Sequence, residues 1–143
     1  RSTSHAPAPV AAPTSSAPTA PAALSPEAAQ AQTCGVLKAN YETVANAIDE
    51  RNKFNSAPWT DPGLLNAVNS LVAAGSGLAD KLEASLQPAT PANLRVAIVD
   101  YVAGLRALTI SQRNHAKDMQ LNGTALLYNQ VVDAPLKICG IPD

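Results

Sequence analysis

Ser111, His115 and Asp118 stand at i, i+4 and i+7, a spacing that places three side chains on one side of a helix. A hydroxyl, an imidazole and a carboxylate are the parts of a nucleophile, a base and an orienting acid. Acyl transfer also needs donors aimed at a developing oxyanion, and no Gly-rich turn or helix start adjoins these three. Ser76 lacks the setting of a nucleophile elbow: in Ala74-Gly75-Ser76-Gly77-Leu78 the outer positions are Ala and Leu where Gly is needed. Phosphate-cradling glycine loops are absent as well. The chain reads as non-catalytic, with no cofactor.

His115 invites a second chemistry. Met119 lies one turn further on, and Tyr41 and Tyr101 occupy other inward positions. Together they suggest a pocket for a small apolar ligand, a lipid or a haem with His115 or a tyrosine as axial ligand. The competing reading is a stripe that opens to water near its end, where Gln112 shares it and Arg113 and Asn114 flank it. A zinc site needs convergent ligands, which the folded part's one histidine and two paired cysteines do not supply, so no metal is expected.

A third candidate is the stretch Arg51-Asn52-Lys53-Phe54-Asn55-Ser56-Ala57-Pro58-Trp59, which holds the only Phe and the only Trp. Large aromatics beside bases in a polar loop are where binding energy collects, so Phe54, Trp59, Arg51 and Lys53 form a candidate partner surface. The alternative is that both rings plug the end of the core.

These residues must be positioned by helices, because strand signals are nearly absent and helical periodicity is strong. Ser25-Pro26-Glu27 opens a first helix, with Ser as cap, Pro at the first position and acid in the first turn. Its apolar stripe is Cys34, Leu37, Tyr41, Val44 and Ile48, and it ends near Lys53. Asp61-Pro62 opens a second, with Trp59 as a hydrophobic staple and Leu64, Val68, Leu71, Leu78, Leu82 and Leu86 facing inward. Gly75 and Gly77 interrupt it, either as a break or to admit a neighbouring backbone. Thr90-Pro91 opens a third, whose stripe of Leu94, Ile98, Tyr101, Leu105 and Leu108 continues through Gln112, His115 and Met119. Asn122-Gly123 reads as the break after it. That break accounts for Asn122-Gly123-Thr124 better than a glycosylation sequon does. A fourth helix then runs from about Thr124 to Asp133, and Pro135 predicts a kink or a short final turn.

Four helices with short connections make an up-down-up-down four-helix bundle, an all-α fold. In that topology the start of the first helix adjoins the end of the last, which is where Cys34 and Cys139 fall. Periodicity and cysteine placement agree on a disulfide. Loop closure over about 100 residues is worth roughly 4.7 kcal/mol, and the bond implies an oxidising compartment.

The bundle domain is assigned to residues 25–143 and a disordered linker or stalk to residues 1–24. Six of the twelve prolines lie in the first 26 residues, among Ala, Ser and Thr. Such a segment buries too little to offset its ordering entropy. It would span about 27 Å as a coil and about 75 Å fully extended, and its Ser and Thr residues are candidates for O-linked sugar. A net charge of −1 with 15% charged residues argues against nucleic acid as a partner. No apolar run reaches the roughly 18 residues needed to span a bilayer. The chain begins at Arg1 without Met, which we read as what remains after a signal or anchor is removed.

An Ala-rich, Lys-poor, disulfide-closed bundle on an Ala/Pro/Ser/Thr stalk resembles the extracytoplasmic domains of actinobacterial, particularly mycobacterial, membrane-anchored envelope proteins. The resemblance lies in composition and layout and carries no functional residues. It implies an extracytoplasmic or secreted binding or sensor module, tethered at the cell envelope through an N-terminal anchor. The expected partner is a protein or a cell-wall component. The alternative is a carrier of a small apolar ligand between the helices.

Overall fold

The structure is a computed structural model, and it describes residues 23–142. The 1–24 stalk lies almost wholly outside the described residues. Four helices account for the rest: α1 (Pro26–Asn52), α2 (Pro62–Ser85), α3 (Ala92–Arg113) and α4 (Asp118–Cys139). Among the described residues there is no strand.

Two helices start as their caps dictate. The Ser25 hydroxyl accepts from the Ala28 N–H at 3.1 Å, and the Asp61 carboxylate accepts from the Leu64 N–H at 2.9 Å. Thr90 does not cap α3. Its hydroxyl instead accepts from the Gln87 N–H at 2.9 Å and closes the connecting turn, so α3 starts behind Pro91 without a side-chain cap.

α1 packs on α2, α2 on α3 and α3 on α4. The first and last helices have no comparable pairing and are joined by the Cys34–Cys139 disulfide, with Cα atoms 5.2 Å apart and 105 residues between them in sequence. The core runs through Leu37, Val44, Leu78, Leu82, Leu94, Ile98, Tyr101, Leu105 and Leu136, all 3% exposed or less. α2 does not break at its glycines. Gly75 is buried where α3 comes close: a Cβ there would meet Thr109 Cγ2 at 2.6 Å, whereas Gly77 faces open space. Gly104 does the same for α4, where a Cβ would meet Val131 Cγ2 at 2.5 Å. Pro135 does not end α4 either; it is buried inside the helix, which continues to Cys139.

The α3–α4 boundary lies earlier than the sequence pattern predicts. α3 ends at Arg113, and Asn122-Gly123 sits inside α4. The stop is a Schellman turn made by a histidine. His115 takes a left-handed φ of 49°; its N–H donates to the Gln112 carbonyl at 3.1 Å, and Ala116 N–H donates to the Ser111 carbonyl at 3.0 Å. Gly140 makes the same turn after α4, at φ 67°.

Candidate functional site

α1 and α3 end where α2 and α4 begin, at the end of the bundle opposite the disulfide. The connections 53–61 and 114–117 meet there. The Trp59 and His115 rings stack at 4.3 Å between centroids and 5° between planes. The Arg51 guanidinium carbon lies 5.6 Å from the Trp59 ring centroid, within cation–π range. Trp59 therefore ties its own loop to the α3–α4 connection. Phe54 is half-buried over the first turn of α2, where Gly63 makes room for it; a Cβ on Gly63 would lie 2.6 Å from Phe54 Cε1. Lys53 stays outside this cluster, exposed and paired with Glu50 at 2.6 Å.

Arg51 is the unusual member. It is only 7% exposed. Its Nε donates to Gln112 Oε1 at 2.9 Å and its Nη1 to Asn55 Oδ1 at 3.0 Å. Both partners are neutral, and among the described residues no carboxylate lies within ion-pair distance of the guanidinium. Burial pulls its pKa below the ordinary arginine value, and the field of Asp118 opposes that shift. A guanidinium remains protonated all the same. Its position in the last turn of α1 also favours the positive charge.

α1 and α4 are joined at the other end, and a cleft lies between them here. Its mouth, about 310 Å³, is lined by Arg51, Asn52, Asn55, Gln112, Asp118 and Asn122. A smaller cavity of about 120 Å³ shares Arg51 and Gln112 with the mouth and adds Ile48, Leu71, Leu108 and Tyr128. The cleft is polar where it meets water and largely apolar beneath.

The predicted apolar-ligand set is not brought together. Tyr101 is fully buried in the core, with its hydroxyl 3.0 Å from that of Tyr128. Burial, with Tyr128 adding to it, drives the Tyr101 pKa well above the ordinary tyrosine value. Tyr41 is half-buried on α1. His115 is exposed on a connection and Met119 is 87% exposed. The stripe ends at Gln112, since α3 stops one residue later and the 3.6-residue period stops with it. Tyr101 lies about 18 Å short of the helix end at 1.5 Å per residue. The Ser111, His115 and Asp118 trio is dispersed as well. The Ser111 hydroxyl donates to the Leu108 carbonyl at 2.9 Å and lies 2.8 Å from the Thr124 hydroxyl, while His115 is held on Trp59. Among the described residues no group of His, Cys, Asp and Glu is arranged to hold a metal ion.

Asn52, Asn55 and Asn122 are cleft residues that sequence reasoning did not assign to a site, and it read Gln112 only as a polar position on the α3 stripe and Asp118 only as an orienting acid. One signal was available: a glutamine on an inward stripe needs a polar partner, and the nearest long donor at that end is Arg51.

Residues 13–140 match the family model of the Rv2240c four-helix bundle domain. The mycobacterial name of that family agrees with the actinobacterial character read from the composition. No curated protein and no solved structure matches the chain.

Proposed function

The chain belongs to the Rv2240c four-helix bundle domain family, and we propose that it is a non-catalytic binding or sensor module of the cell envelope, with the end remote from the stalk as its working face. One observation carries this reading. The buried cation, the aromatic stack and the open cleft all gather at the end that the disulfide leaves free. A module held by its N-terminal segment would present that end outward, to a protein or a cell-wall component. The disulfide is consistent with an oxidising, extracytoplasmic site. No described helix is long and apolar enough to cross a membrane, so on this reading the tether lies outside the described residues.

The apolar-carrier alternative is disfavoured by the packing. Gly75 and Gly104 let side chains of the neighbouring helices close onto the backbone, which leaves the centre of the bundle filled. The test is photo-crosslinking in cells from the exposed positions Asn55 and Ser56, with Gln30 near the disulfide as control. Adducts with an envelope component from the first two positions and not from the third are the expected result. Adducts confined to cytosolic components, or equal labelling from Gln30, would overturn the reading.

A further inference from the structure

We propose that the α1–α4 cleft binds a small zwitterion of the α-amino-acid class, with its carboxylate on Arg51 and its ammonium group on Asp118. The inference names a ligand class for the working end and rests on the reading of that end given above.

Arg51 supplies the first half. It is a buried guanidinium whose hydrogen-bond partners are carboxamides. Two of its five N–H groups are engaged in those bonds, and the residue lines the cleft. A carboxylate is the group that this fork is shaped to receive, through paired charge-assisted bonds. Asp118 supplies the second half. It lines the same cleft and acts on Arg51 through its field, yet it stands beyond ion-pair distance. The two charges are therefore held apart without neutralising each other. Each sits at the helix end that favours it, Arg51 in the last turn of α1 and Asp118 in the first turn of α4.

A simple anion would meet Arg51 and be repelled by Asp118, and a simple cation would meet the reverse. A molecule carrying both charges a few atoms apart satisfies both walls. Asn52, Asn55 and Asn122 offer further donors and acceptors around it. The smaller cavity below, where Asn52 and Asn129 join Ile48, Leu71, Leu108 and Tyr128, suits a side chain of modest size, polar or apolar, and is too small for a long acyl chain.

The test is titration calorimetry on the full chain with individual amino acids of apolar and polar side chains. Each is paired with two analogues, the acid lacking the amine and the amine lacking the carboxylate. Saturable binding of at least one amino acid is expected, with both of its analogues weaker by about tenfold or more. Asp118 is exposed, so Asp118→Asn leaves the fold intact. It should weaken the amino acid by about tenfold and bind the deaminated acid no less tightly than before, since the charge that repels it is gone. Arg51→Met, with its fold checked by circular dichroism, should abolish both. No binding of any amino acid up to about 10 mM overturns the proposal. So does equal affinity for the deaminated acid, or an Asp118→Asn variant that binds normally. If calorimetry fails while the crosslinks from Asn55 and Ser56 appear, the ligand class is wrong and the working end stands.

Discussion

The two ends of this bundle solve the same problem with different chemistry. At the disulfide end the buried polar groups are hydroxyls bonded to each other and to backbone. The Ser85 hydroxyl lies 3.0 Å from that of Thr33 and 2.7 Å from the Leu82 carbonyl, and Thr90 closes the α2–α3 turn. A covalent bond then fixes α1 to α4. At the opposite end the buried groups are a guanidinium, a carboxamide and the Ser111 hydroxyl, and what joins the loops is a ring stack. Neutral, saturated and cross-linked chemistry makes a closed end. Charge, part-exposed aromatics and an unclosed helix pair leave an end with capacity to bind. The contrast predicts that local stability is higher at the first end than at the second.

The largest expected effect comes from removing the covalent tie. Cys34→Ser or Cys139→Ser should cost about 2–5 kcal/mol in urea unfolding, as for other small disulfide-closed domains. A loss under about 1 kcal/mol would mean that packing already closes that end, and the contrast would shrink. Next comes the middle of the bundle. Gly104→Leu drives a side chain into Val131, whose branched rotamer has little freedom to yield, and should cost roughly 1–3 kcal/mol. An unchanged midpoint would show that α3 and α4 are not in the close contact described.

Tyr101 gives a smaller effect with a pH signature. Its folded pKa is raised above its unfolded value, so its contribution is fully present below about pH 10, where the unfolded chain begins to ionise, and is lost as pH rises. Absorbance at 295 nm should show Tyr101 ionising only as the protein unfolds in alkali. Tyr101→Phe should cost about 1 kcal/mol at neutral pH and flatten the alkaline decline. The smallest effect belongs to the open end. A double-mutant cycle on Trp59→Ala and His115→Ala should return a coupling of about 0.5 kcal/mol, the low end for ring pairs because His115 is exposed and Trp59 half-exposed. A coupling of 2 kcal/mol or more, well above the usual ring-pair range, would make that end as firmly closed as the other.

How much of this was legible in the sequence follows the same division. Ser25-Pro26 and Asp61-Pro62 announce two helices because a capping side chain and a fixed φ are local properties. The cysteine pair was legible because topology and position agreed. The boundary between α3 and α4 was not. Gln112, His115 and Met119 continue the spacing of the stripe by coincidence, and a histidine performs the turn that glycine performs after α4. Asn122-Gly123 offers a break that the helix does not use, since Gly123 meets nothing within 4 Å and is carried along inside α4. The partnership of Arg51 with Gln112 spans 61 residues, and no local pattern records it. The stretch that offers Arg51, Lys53, Phe54 and Trp59 as a candidate partner surface does not show that Arg51 and Trp59 also contact residues in α3 or just after it.

Native-state hydrogen exchange read by mass spectrometry tests the asymmetry most directly. Amides of 29–40 and 132–138, in the disulfide halves of α1 and α4, should exchange only through global unfolding. Amides of 46–52 and 120–125 should open locally, at least about tenfold faster under the same conditions. Equal protection of the two ends, with the disulfide intact, would contradict the division of the bundle into a closed end and a working one.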